Sequence, residues 1–271
     1  MKRSKKAVIG IVAWLVAIVY FYPILVMFLN GFKTEQQAVH MPPSLVFHPT
    51  LHNYQLVFSS GVFSYLGNSL IAAIGSTIIA LAIGVPAAYA LAIYKPKHGD
   101  DIFFWFITTK ILPSVGVIVP VYIMFRDLNM LDTLYGLSLL YIGMNTPIVV
   151  WMMRSFFTDI PYSVIESSQV DGAHGFALIW RIILPLVRPG LFATSLLCLV
   201  FSWNEFFFAL NITDTHAATL PILVSSFMTS EGLFWSKLSA IGTIAVLPPV
   251  IFGWIAQKQL VRGLSMGAVK G

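Results

Sequence analysis

Six stretches of this 271-residue chain are long and apolar enough to cross a lipid bilayer, and nothing else in the sequence limits the fold as strongly. A spanning helix needs about 20 apolar residues. The qualifying stretches cover residues 7–29, 63–93, 102–125, 134–157, 191–211 and 238–257. Hydrocarbon offers no water to the backbone, so stretches of this length must close their hydrogen bonds internally as helices. The expected class is therefore all-α, a polytopic membrane protein with six transmembrane helices. Charge content agrees. Only 10% of residues are charged, where a soluble domain carries about 25%, and the mean hydropathy is +0.83. The second stretch exceeds a perpendicular crossing and implies tilt, or an interfacial turn near Tyr65.

Lys2, Arg3, Lys5 and Lys6 precede the first stretch. A cleaved signal peptide has a shorter apolar region, of about 7–15 residues, before a small-residue cleavage site. Phe21-Tyr22-Pro23 is a poor site of that kind, so this reads as a retained first helix. With the N-terminus inside, the cytoplasmic segments hold Lys2, Arg3, Lys5, Lys6, Lys95, Lys97, Arg154, Arg181, Arg188, Lys258, Arg262 and Lys270. The outer loops hold only Lys33, Arg126 and Lys237, and Lys110 falls inside a span. This bias places both termini in the cytoplasm. It also accounts for the net charge of +5 without a nucleic-acid partner. Cys198 is the single cysteine, which excludes an intramolecular disulfide. The outer loop, 31–62, carries Pro42, Pro43 and Pro49 and reads as extended and proline-stiffened. Its scattered His48 and His52 read as polar surface, and no metal site is expected.

One polar segment interrupts the apolar pattern between the fourth and fifth spans. Residues 162–170 can form a short helix. Gly172 permits a sharp bend. Asp171 can cap a second helix over 173–183, which Pro185 and Pro189 limit. The result is helix, turn, helix on the cytoplasmic face, able to seat in a groove on a partner. The plainer alternative is an interfacial loop rich in caps.

The run Glu166-Ser167-Ser168-Gln169-Val170-Asp171-Gly172-Ala173, with Leu184-Pro185 and Pro189-Gly190 after it, resembles the cytoplasmic loop of ABC importer permeases. That pattern runs E-A-A, D-G-A, I-x-L-P and a further proline. Ser167 and Ser168 stand where the family usually has alanines. The six-span layout, Trp203-Asn204-Glu205-Phe206 in the fifth span, and the tail from Val261 to Gly271 extend the resemblance over nearly the whole chain. It is to carbohydrate ABC importer permeases, the maltose-type smaller subunit, and it implies the type I permease fold as a single domain over 1–271. It further implies that Glu166, Ser167, Ser168, Asp171, Gly172 and Ala173 couple to the ATPase, within a loop of about 158–190. Gly263, Gly267, Lys270 and Gly271, in a tail of about 258–271, would reach the ATPase interface. The implied partners are a second permease, two ATPase subunits carrying ATP and Mg, and an extracytoplasmic sugar-binding protein in the cytoplasmic membrane.

Among polar groups within the spans, Glu205 costs about 2.5–3.5 kcal/mol at membrane depth and so faces the protein interior or water. Two readings fit: a residue of the translocation path, or a structural hydrogen-bond acceptor joining subunits. Tyr141, Asn145, Trp203 and Asn204 are the companion candidates for sugar contact, with helix packing as the other account of each. Pro86, Pro113, Pro120, Pro147, Pro248 and Pro249 can kink helices. No G-x-x-x-x-G-K-[ST] loop, H-E-x-x-H or G-x-S-x-G is present, so no catalysis is expected and no cofactor is bound by this chain. Three transport readings follow: ATP-driven import of a sugar or oligosaccharide; ATP-driven import of another small solute; or a stand-alone ion-coupled carrier using Glu205.

Overall fold

The computed structural model describes residues 2–229 and 232–267. In chain order, the helices are α1 (Lys2–Asn30), α2 (Glu35–Ala38), α3 (His52–Ser59), α4 (Val62–Tyr89), α5 (Gly99–Ile111), α6 (Ser114–Asp127) and α7 (Leu134–Thr158). They continue as α8 (Tyr162–Val170), α9 (Gly175–Leu178), α10 (Leu184–Leu186), α11 (Arg188–Trp203), α12 (Phe207–Ile212), α13 (Leu220–Ser226) and α14 (Trp235–Gly267). Wider π-helical turns at Ala90–Tyr94 and Ile179–Ile183 extend α4 and α9. One antiparallel ladder, Met228–Thr229 with Gly232–Leu233, precedes α14 and leaves the class all-α.

Four helices are long and apolar enough to cross a membrane: Lys5–Asn30, Val62–Tyr94, Leu134–Thr158 and Trp235–Gln257. Among the described residues, two bent pairs raise the number to six when each pair counts as one span. The expected third span is one of these pairs, α5 and α6, which meet at 94°. The cause is local. A proline ring disfavours helical geometry in the residue before it, and Leu112 before Pro113 takes φ −59°, ψ 126°. The fifth span differs from its expected bounds twice. Ile179–Leu186 and Arg188–Trp203 meet at 76°, where Pro189 has no N–H to continue the ladder. At the other end the helix stops at Trp203 and resumes at Phe207. The second span needs no turn at Tyr65; Gly61, at φ +77°, makes the turn before α4.

The chain divides into two compact units. One comprises Met1–Ser64 with Ile222–Pro248. In it, the apolar side chains of α1, among them Trp14, Val19 and Tyr20, lie exposed as a lipid-facing helix requires. The 31–62 loop is less extended than expected, since it carries α2 and α3. Asn53 Nδ2 donates to the carbonyls of Gly31 at 3.0 Å and Lys33 at 2.7 Å. The Glu35 carboxylate accepts from the amides of Trp235 at 2.6 Å and Ser236 at 3.1 Å. It thereby satisfies free donors at the start of α14, where a negative charge is favoured.

The other unit comprises Tyr65–Pro221 with Pro249–Gly271. Its core joins Ala80, Ala88 and Tyr89 of α4, Val149, Met153 and Phe157 of α7, and Cys198 of α11. Ile165 of α8, Leu178 of α9 and Ile183 belong to the same cluster. α4 and α7 approach closely at Gly84, where an added Cβ would lie 2.6 Å from Val149.

Outside the spans, Asp132 staples the α6–α7 loop to the segment after α12. Its carboxylate accepts from the amides of Asp214, Thr215, His216 and Ala217 at 2.8–3.2 Å. Its own N–H donates to Ile212 O. Desolvation pushes the carboxyl upward, but the four amides together outweigh it and hold Asp132 below the usual carboxylate range. The folded pKa thus lies under the unfolded one. The stabilisation is present above the unfolded value, near pH ~3.9, and is lost as pH falls through the folded value. Asp132→Asn is expected to cost about 1.5–3 kcal/mol at pH 7. In detergent melts its deficit against wild type should shrink below pH ~4; a deficit independent of pH would contradict the staple.

Candidate functional site

The polar segment between α7 and α11 has one face tied to the core and one left open. On α8, Ile165 and Ser168 are buried, and Ser168 Oγ donates to Val164 O at 2.6 Å. Glu166, Ser167, Val170, Asp171 and Gly172 are exposed, while Ala173 is half-buried with its N–H on Ser168 O at 2.9 Å. The helix over 162–170 has the expected bounds.

The turn differs from expectation in its detail. Asp171 closes α8 through its N–H on Ser167 O and does not begin the next helix. That helix starts at Gly175 rather than Ala173 and widens into a π-helical turn at Ile179–Ile183. Gly172 has φ +86°, and nothing lies within 4 Å of an added Cβ, so its backbone angle and not crowding demands glycine. Gly175, at φ +54°, makes a second left-handed turn that the sequence reading missed. The signal was a second glycine three residues after the first. Val170 on α8 is 87% exposed.

The second candidate group gathers at the break between α11 and α12. Glu205 Oε1 accepts from Phe208 N at 2.8 Å, and Oε2 accepts from Ala209 N at 3.0 Å and Tyr141 Oη at 3.2 Å. The carboxylate caps α12 and ties it to α7. Asn145 Nδ2 donates to Ser202 Oγ at 2.7 Å, and that hydroxyl lies 3.4 Å from Ser76 Oγ of α4. Tyr141, Asn145 and Trp203 are buried, Glu205 is half-buried, and Asn204 is exposed with its amide on Val200 O. The five residues therefore cluster, but three of them point into the chain's own packing. Nearby, Asn68 Nδ2 holds the carbonyls of His216 and Ala218 at 2.9 Å.

Of the tail, Gly263 and Gly267 lie within α14, which continues beyond the span's end at Gln257. Lys270 and Gly271 lie outside the described residues. Among the described residues, no group of three metal-ligating side chains occurs.

Bent apolar helices, with a polar helical loop inserted between two of them, fit a multi-pass membrane protein. The chain belongs to the binding-protein-dependent transport system inner membrane component family, whose model matches residues 80–266. It is similar to a probable ABC transporter permease protein of Sinorhizobium fredii, 34% identical over 99% of this chain and 97% of that one. A trehalose/maltose transport system permease protein of Thermococcus litoralis is 31% identical over 98% of each. The fold matches a crystal structure of a bacterial ABC transporter involved in the import of the acidic polysaccharide alginate. The TM-score is 0.75 at 20% identity, covering 94% of this chain and 96% of that one. The family is a transport component of the inner membrane, which agrees with a multi-pass membrane location.

Proposed function

We propose that this chain is one permease subunit of an ATP-driven importer for a sugar or oligosaccharide, a single permease domain over 1–271. A second permease completes the path, two ATPase subunits bind its cytoplasmic side with ATP and Mg, and an extracytoplasmic binding protein delivers the solute. The sugar assignment draws on what similar permeases are named for. The coupling role rests on one observation: Ile165 packs in the same cluster as Tyr89, Met153, Phe157 and Cys198, while Glu166 on the same helix is exposed. A partner that grips Glu166, Ser167, Asp171 and Gly172 from outside would move α8 as a lever on the spans. Ser168 and Ala173 form the packed side of that lever. When ATP draws the ATPase subunits together, the loop follows, and alternating access results. The tail, 258–271, is the second contact in this reading, with α14 carrying Gly263 and Gly267 toward the ATPase seam.

Gentle purification of the tagged chain is expected to recover an ATPase and a sister permease, and the complex should import sugar only with ATP and binding protein. Uptake by this chain alone, driven by an ion gradient, would instead establish a secondary carrier. Orientation is checked by labelling in a Cys198→Ser background. Thr50→Cys should react with an impermeant thiol reagent from outside, and His174→Cys only after the membrane is opened. Reversed labelling would put the loop on the wrong side for any ATPase.

A further inference from the structure

Lys110 is a basic residue inside the apolar stretch 102–125, eleven residues along α5 from Gly99, about 16 Å at 1.5 Å per residue. Its Nζ donates to the carbonyl of Met144 at 3.4 Å, ten residues into the 25-residue α7. It also stands 5.4 Å from the centre of the Phe201 ring. A charge inside such a stretch is costly and calls for a counter-charge or a polar path.

The described part of the chain supplies no carboxylate. Its ion pairs are His98–Asp101, Arg126–Asp127 and Arg154–Asp100. Glu205, the acid closest in kind, spends both oxygens on Phe208, Ala209 and Tyr141. In place of an acid, Lys110 lines a cavity of about 320 Å³, with Thr109, Ser114, Gly143, Met144 and Phe208 in its wall. Ser114 opens α6, so the cavity also receives the positive end of a 14-residue helix dipole. The bend at Pro113 brings these together. It ends α5 one residue after Lys110 and starts α6 beside the same space.

We propose that this cavity is a station for an anionic group, a carboxylate, phosphate or sulfonate, on the transported sugar. Lys110 and the first turn of α6 hold the negative charge, and the mostly apolar wall takes the ring face. This deepens the importer reading and rests on it. The carbonyl contact is long and the cation–π contact modest, so the ammonium is free to exchange both for a passing anion.

The test uses the complete importer, with its binding protein, in proteoliposomes loaded with ATP. Neutral sugars (maltose, cellobiose) are screened beside their uronic acid counterparts and phosphorylated and sulfonated hexoses. The wild type is expected to import at least one anionic member. Lys110→Gln should lower its kcat/KM about ten- to a hundredfold, the loss of one charged hydrogen-bonded contact, while Lys110→Arg retains most uptake. Import of neutral sugars alone, or anionic uptake unchanged in Lys110→Gln, would overturn the station and leave the importer reading intact. A Lys110→Gln complex that fails to assemble would also overturn it, making Lys110 a contact with the second permease. ATP-dependent uptake of no sugar of either kind would remove the importer reading itself.

Discussion

Glu166→Lys is expected to cut ATP-driven uptake about thirtyfold or more while the chain folds and inserts as well as wild type. Truncating or reversing one partner of an interfacial charge pair costs about 2–5 kcal/mol, and reversal adds repulsion to that loss. The fold should not register the change, because Glu166 is exposed on α8 and the core contact of that helix is Ile165. Exposed substitutions of this kind usually stay within about 0.5 kcal/mol. Recovery of ATPase subunits, ATP hydrolysis and uptake are measured on one preparation. Weakened docking appears as lost ATPase; failed transmission appears as hydrolysis without uptake. A Glu166→Lys complex that transports at the wild-type rate would end the coupling assignment. Ile165→Ala makes a useful contrast, since it loosens the lever inside the chain and should destabilise it by about 2–4 kcal/mol.

Glu205→Leu should destabilise the protein by about 3–5 kcal/mol, the largest loss expected from a single side chain here. It leaves the amides of Phe208 and Ala209 without their acceptor. An unsatisfied buried donor costs about 1–3 kcal/mol, and a bilayer offers little water to replace the partner. Tyr141 Oη loses its acceptor in the same step. Glu205→Gln retains one acceptor oxygen and should lose only about half as much, and Tyr141→Phe about 1 kcal/mol. The midpoints of unfolding in detergent rank the variants. Wild-type stability in Glu205→Leu would show that α12 does not depend on its cap. If Glu205→Gln were stable yet inactive, the charge itself would serve transport, as the path reading of Glu205 requires.

The membrane-crossing segments and the α8 helix were legible because both are written locally. An apolar run needs no partner to declare itself, and residues 162–170 carry their own helix signal up to Gly172. The kink sites were half legible. Pro113 and Pro189 marked where backbone bonds would fail, but a proline inside a membrane helix is often absorbed with little bending, as Pro23, Pro86 and Pro147 are within α1, α4 and α7. The 94° turn after Ile111 and the 76° turn at Val187 needed neighbours to hold them.

By itself the sequence determined the all-α class, the apolar stretches able to cross a membrane and the helix–turn–helix between the fourth and fifth of them. Hydropathy and turn chemistry are properties of a residue and its near neighbours. The tertiary structure decided what the polar residues do. It set Asp132 against amides more than eighty residues away, spent Glu205 on a helix cap, and left Lys110 beside a cavity without an acid. A hydrogen bond between distant segments leaves no period or spacing in the chain. Only the packing of α5, α6, α7, α11 and α12 shows whether a charge meets a partner or faces open space.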